Sequence, residues 1–288
     1  MRHSFRRFVV AIVLFVGLAA VCYAQRARIS ELMREASVPE LPAAVGYKEV
    51  RQEELPATSP ETEVVLVEKE PKLVEPALIP EEVLVEEKPL PVVEDELPAS
   101  FDLAVPFTSQ APFANWDATH EDTCEEASIY MVSAYYEGMS GTIAPQTAED
   151  EIRRLVALEN KIFGRFESTT AEETARLVTE VYGLRAEVEK DPTVATIKVH
   201  VAAGRPVIVP ADGQMLGNPN FTGDGPPYHM FIIRGYVENR FVTNDPGTRR
   251  GEQYVYDQDV VMNAIHDWTG SDDTVDAGSK VILVIYPN

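Results

Sequence analysis

Cys124 opens the run Thr123-Cys124-Glu125-Glu126-Ala127-Ser128-Ile129-Tyr130-Met131, and the one other cysteine, Cys22, lies in an apolar leader. Chains exported from the cytoplasm ordinarily pair their thiols or lack them, so a leftover thiol is a candidate reactive group. The thiolate is the nucleophile, and a free cysteine titrates near pH ~8.5. Activation therefore needs a base or a helix N-terminus. Glu121-Asp122-Thr123 offers two N-caps, Asp122 or Thr123, at the head of an amphipathic helix whose dipole favours the thiolate. Glu125 and Glu126 oppose a second negative charge, unless they point to solvent and simply suit a first helical turn. The bland alternative is a small buried hydrophobe.

A base must come from elsewhere. Beyond the leader the chain has His120, His200, His229 and His266. His229 stands at the mouth of an apolar run, Pro226-Pro227-Tyr228-His229-Met230-Phe231-Ile232-Ile233. His200 falls within an expected helix, and His120 and His266 adjoin acidic residues. A third group should accept a hydrogen bond from the imidazole, fixing its tautomer. The run after His229 returns as Phe241-Val242-Thr243-Asn244-Asp245-Pro246-Gly247. In a hairpin, the start of one strand and the end of the next are neighbours, so His229 and Asp245 can meet. Asn244 points to the opposite face, so only one of the two can serve. Acyl transfer also needs a donor for the developing oxyanion. Gln110, 14 residues before Cys124, can share that role with the Cys124 backbone N–H.

The elements that would position these groups read as α+β. A strand is expected over Phe101–Phe107 and helices over Thr123–Glu137, Thr147–Phe163, Thr170–Gly183 and Thr193–Ala203. Thr170-Ala171-Glu172-Glu173 has the form of a capping box, and Gly138, Gly164, Gly183 and Gly204 mark helix ends. Strands are expected at Arg205–Pro210, His229–Val237, Arg240–Asn244 and Lys280–Tyr286, with a short helix over Val260–Trp268. Helices first and an antiparallel sheet later is an α+β order.

The order Gln…Cys…His…Asp on such elements resembles the papain-like cysteine peptidases. More narrowly, the chain is similar to the family-39 cysteine peptidases, known for the leader-cleaving domains of bacteriocin exporters. It looks most like the stand-alone family-39-like domains of bacterial surface proteins. The residues that carry the likeness are Val105-Pro106-Phe107-Thr108-Ser109-Gln110, Cys124-Glu125-Glu126-Ala127-Ser128, Tyr228-His229-Met230 with Arg234-Gly235-Tyr236, and Asn244-Asp245-Pro246-Gly247. The resemblance covers residues 99–288. It implies a papain-like fold, with helices packed on a C-terminal antiparallel sheet. It also implies Cys124 as nucleophile, His229 as base, Asp245 as the orienting carboxylate, Gln110 as oxyanion donor and a peptide or protein as substrate. It calls for no cofactor and no metal. The chain departs from exporter domains in having Glu125 where glycine usually follows the nucleophile, and it has no transporter or ATPase portion. Leader cleavage at a double glycine is therefore not implied. A peptidase-like binding module and a cell-wall amidase or transpeptidase on the same fold remain as alternatives.

The rest of the chain reads as delivery apparatus. Arg2, Arg6 and Arg7 precede an uncharged stretch from Phe8 to Ala24. As a helix it spans roughly 25 Å, against a hydrocarbon core of about 30 Å. It is a cleaved signal peptide or a short membrane anchor, and Val21 is too bulky for a lipoprotein signal before Cys22. Each version places the remaining chain outside the cytoplasm, with membrane contact through this segment alone. A short helix over Ile29–Ala36 is expected next. Residues 51–98 contain eight prolines, no glycine and no aromatic residue, with 14 acidic against 4 basic side chains. Glu63–Pro80 and Glu81–Pro98 are two similar 18-residue halves. Within the N-terminal region 25–98 this is an extended acidic spacer, or a segment that adds strands to a partner. A net charge of -22 argues against nucleic acid, whose backbone needs clustered Lys and Arg. The acidic run Ser271–Asp276 lacks the spacing of a calcium loop, and neither His120-Glu121-Asp122 nor His266-Asp267 has a second ligand pair at zinc spacing.

Overall fold

The computed structural model describes residues 38–53 and 97–287. The leader, the expected Ile29–Ala36 helix and nearly all of the duplicated acidic segment lie outside them. Among the described residues no helix is long and apolar enough to cross a membrane.

In chain order the helices are α1 (Tyr47–Glu53), α2 (Cys124–Tyr136), α3 (Pro145–Phe163), α4 (Ala171–Tyr182), α5 (Val194–Ala202) and α6 (Gln258–Ala264). The strands are β1 (Ser100–Asp102), β2 (Arg185–Lys190), β3 (Val207–Asp212), β4 (Tyr228–Val237), β5 (Arg240–Asn244), β6 (Tyr254–Asp257) and β7 (Val281–Tyr286). They form one sheet in the order β2-β7-β3-β4-β5-β6, with every strand pair antiparallel. β4 runs through its centre and is buried along its whole length. β3 covers β4 from Tyr228 to Ile233, and β1 takes over at Gly235–Val237. A register shift in the β4–β5 pairing falls between Ile233 and Gly235. Such a bulge re-aims the residue inside it. Here Arg234 turns onto buried Asp102, with Nε–Oδ1 at 2.8 Å and Nη2–Oδ2 at 3.2 Å.

Local sequence explains most helix boundaries. Pro145 occupies the first turn of α3, and Gly164 closes it at φ 79°. Thr170 and Glu173 form the reciprocal capping box of α4, and Gly183 ends it at φ 67°. The left-handed region is open to glycine at little steric cost. α2 departs from expectation. It is not amphipathic: every residue from Cys124 to Tyr135 is buried. A helix buried all round belongs in the core, and α2 packs between β4 on one side and α3 and α4 on the other. The expected strand Phe101–Phe107 ends at Asp102, where the chain leaves the sheet before Pro106. β2 and β6 were not expected from sequence.

The domain also reaches further back than Ala99. Val45 forms a parallel bridge with Leu103. Tyr47 stacks edge-on against Tyr135 at 5.6 Å and Tyr136 at 5.0 Å. Val50 is buried in the main core, so close to Gly204 that a Cβ there would meet its side chain at 2.6 Å. The sequence assigns these residues to the spacer; the structure packs them on the domain.

Candidate active site

The β4–β5 hairpin does what its strand reading predicts. His229 is the second residue of β4, and Asp245 directly follows β5. Their side chains meet with Nε2–Oδ1 at 2.8 Å, both buried. An Nε2–H donor to Asp245 leaves Nδ1 with the lone pair a base requires. Asp245 is itself held on all sides. Its Oδ1 accepts from the Gly247 N–H at 3.0 Å, and its Oδ2 accepts from Tyr256 Oη at 2.6 Å and Asn218 Nδ2 at 3.3 Å. Burial works to raise this carboxyl, but the charge His229 carries when protonated and these hydrogen bonds outweigh it and hold Asp245 below the usual carboxylate range. Asn244 faces the other way, as expected. Its amide donates to the carbonyls of Val105 and Pro106 at 3.1 and 3.0 Å, so it fixes the segment leading to Gln110.

Cys124 stands at the first position of α2. Thr123 occupies the N-cap position but makes no side-chain cap; its hydroxyl donates to the Gln110 carbonyl at 3.3 Å. The Cys124 N–H has no intrahelical acceptor and is free to donate. Sγ accepts from the Met230 N–H at 3.3 Å, which ties it to the residue after His229. It donates to Glu125 Oε2 at 3.0 Å. Burial, then the charge of Glu125 and this hydrogen bond, push the thiol well above its ordinary value, and the Met230 N–H opposes them.

The two glutamates are not at the surface. Glu125 is buried, with Oε1 accepting from the Thr169 N–H at 3.0 Å. Glu126 is fully buried beside Glu159 of α3, and none of the four oxygens of this pair has a donor. An ionised carboxylate is acceptor-only, whereas a protonated carboxyl supplies one donor. Burial, then the charge of nearby carboxylates, raises both groups, Glu159 to about 8 and Glu126 well above the ordinary range. Glu159 is thus largely protonated at neutral pH, and Glu126 holds its proton more tightly than a free glutamate.

Gln110 is buried at the floor of the same cleft. Its Nε2 donates to the carbonyls of His120 at 2.8 Å and Glu121 at 3.0 Å. Both carbonyls belong to the short turn His120–Asp122 that leads into α2. The amide therefore holds this turn in place. Gln110 Oε1 has no partner.

Gln110, Cys124 and His229 line one cleft of about 880 Å³, with Trp116, Glu121 and Asp122 on one wall and Phe221, Thr222, Arg249 and Arg250 among its other residues. The other three histidines are engaged elsewhere. His120 bridges Asp117 and Glu149, His200 pairs with Glu189, and His266 contacts the Ala264 carbonyl. Sequence reasoning missed Asn218 and Tyr256 behind Asp245. It also missed Phe221, whose ring stands edge-on to the imidazole at 5.4 Å. None of these carries a motif; only the fold brings them to Asp245 and His229.

The model of the Peptidase_C39 like family matches residues 102–273. The chain belongs to that family. The matched span contains Gln110, Cys124, His229 and Asp245, and the α+β arrangement above is of the papain-like kind. One similar solved structure is described as a C39-like peptidase from Bacillus anthracis. It has 13% identity and a TM-score of 0.42, and the match covers 64% of this chain and 95% of that one. No curated protein sequence matches.

Proposed function

We propose that this C39-like chain is a cysteine peptidase acting outside the cytoplasm, with Cys124 as nucleophile, His229 as base and Asp245 as the carboxylate that orients it. The observation that carries this reading is the buried His229–Asp245 pair, whose Nε2 is engaged by the carboxylate, in the cleft that also holds Cys124. His229 Nδ1 takes the thiol proton, and Sγ forms a bond to the scissile carbonyl carbon. The oxyanion accepts from the Cys124 N–H and from Gln110 Nε2, which exchanges one of its two carbonyl partners for it. As the C–N bond breaks, His229 returns the proton to the departing amine. Water, deprotonated by His229, then cleaves the thioester and restores the thiol. The leader supports export; protease accessibility from outside intact cells tests it.

The test is cleavage of a peptide library by the full chain. Wild type should turn over substrates, and C124A and H229A should each fall by about 10³-fold or more. Wild-type activity indistinguishable from C124A on peptides and on peptidoglycan would remove the enzymatic reading. One observation favours a second reading, a peptidase-like binding module: the thiol donates to Glu125 and makes no hydrogen bond to His229. In that case wild type and C124A bind peptide equally and neither cleaves it.

A further inference from the structure

The departure from the exporter pattern at position 125 has a structural counterpart. A thiol has one hydrogen. In this protein Cys124 Sγ donates it to Glu125 Oε2, with sulfur and oxygen 3.0 Å apart. No hydrogen bond joins Sγ to the imidazole of His229. The contact is built rather than incidental. Glu125 is 1% exposed, and among the described residues no Lys or Arg pairs with it. Its second oxygen is fixed by the Thr169 N–H at 3.0 Å. The carbonyl of Thr169 in turn accepts from Tyr228 Oη at 3.0 Å, and Tyr228 immediately precedes His229. One residue of the α3–α4 loop therefore braces both the carboxylate beside the nucleophile and the strand that carries the base.

We infer that Glu125 is a positioning residue that holds the Cys124 thiol through its only proton, so that transfer to His229 occurs only after this hydrogen bond is broken. The inference rests on the cysteine-peptidase reading for its meaning, but not for its test. A side-chain turn at Cys124 moves Sγ off Glu125 and toward Nδ1. No oxidant or added reactant is needed: the S–H bond breaks, the proton passes to Nδ1, and the electron pair stays on sulfur. A substrate carbonyl entering the cleft competes for the Cys124 N–H and packs against Sγ, which is where such a turn would begin. At rest, the chain carries a restrained thiol and not a preformed thiolate–imidazolium pair.

The titratable groups around this contact set its pH behaviour. Glu126 lies next on the same helix, Glu159 faces it from α3, Tyr228 and His229 face it from β4, and Asp267 lies beyond Tyr228. Four of these six groups, counting Glu125 itself, are carboxyls, and the charges of Glu125 and, when ionised, Glu126 disfavour an anion on sulfur. E125Q keeps an oxygen for the Thr169 N–H, removes a charge, and turns an amide N–H toward sulfur. The pH of half-maximal alkylation by iodoacetamide should then fall by at least about one unit, a tenfold gain in reactive fraction below it. The thiolate absorbance of wild type less that of C124A, which cancels Cys22, gives the Cys124 midpoint without altering Glu125, and it should lie above that of free cysteine. An E125Q profile that coincides with wild type, or moves up, overturns the inference, as does a wild-type midpoint at or below that of free cysteine. Peptide turnover is measured in parallel. Turnover with an unmoved E125Q profile removes the restraint and leaves the peptidase. A moved profile without turnover does the reverse.

Discussion

Replacing Glu159 by glutamine should stabilise the domain at neutral pH and leave it unchanged in acid. Glu126 and Glu159 face each other with no donor from any other residue on either carboxyl, and Glu126 is two residues from Cys124. Glu159 is pushed up to about 8 from an ordinary 4.5. A raised folded value means that the folded chain binds the proton more tightly than the unfolded one. This contribution is fully present below about pH 4.5 and is lost as pH rises through about 8. At pH 7 the unfolded glutamate is about 2.5 pH units past its titration midpoint, at about 1.4 kcal/mol per unit, so the linkage costs about 3 kcal/mol. E159Q removes it and offers Glu126 an N–H donor. Urea unfolding at pH 4, 5, 6, 7 and 8 is the assay. E159Q should match wild type within about 1 kcal/mol at pH 4 and exceed it by up to about 3 kcal/mol at pH 7. Titrating groups away from this pair are common to both proteins and cancel in the difference; Glu126, which Glu159 helps to raise, adds to the same pH-dependent gain. Parallel stability profiles would refute the claim that Glu159 is protonated in the folded state.

D245N keeps the shape of the carboxylate but reverses its hydrogen bond with His229, so kcat/KM should fall by about 10³- to 10⁴-fold, measured on a peptide substrate with the fold checked by near-ultraviolet circular dichroism. Y256F removes one 2.6 Å bond to Asp245 and should cost about tenfold, mostly in kcat. A Cβ on Gly247 would meet His229 Cε1 and Phe221 Cε1, each at 2.9 Å. G247A should therefore displace the imidazole and lower turnover at least tenfold, with a melting temperature within a few degrees of wild type; full activity would show that His229 has room to give. Y47A removes two aromatic contacts on the far side of the domain, worth about 1 kcal/mol each. It should lower urea stability by about 2 kcal/mol or more, with no change in Cys124 alkylation.

The His229–Asp245 contact was readable because a hairpin is a local device. Strand alternation places His229 and Asp245 at adjacent ends, and the opposite facing of Asn244 follows from the same period of two. Helix ends were readable for the same reason: Gly164, Gly183 and the Thr170–Glu173 box act within one turn. The glutamates were not readable. An acidic first turn ordinarily faces water and suits the helix dipole, and nothing near Glu125 or Glu126 in sequence announces Thr169 or Glu159. β2 escaped notice because Arg185-Ala186-Glu187-Val188-Glu189-Lys190 is an exposed edge strand that pairs only with β7, so it lacks an apolar run. The docking of Tyr47 and Val50 depends on partners about 90 and 150 residues away.

That docking changes what the acidic segment can do mechanically. Residue 53 ends a helix seated on the domain, and Ser100 starts a strand of the same domain, so residues 54–96 leave one body and return to it. The described residues on either side of this segment, 53 and 97, therefore belong to one body. A single cut between residues 54 and 96 would leave the two pieces associated through the packing of Val45, Tyr47 and Val50 on the domain.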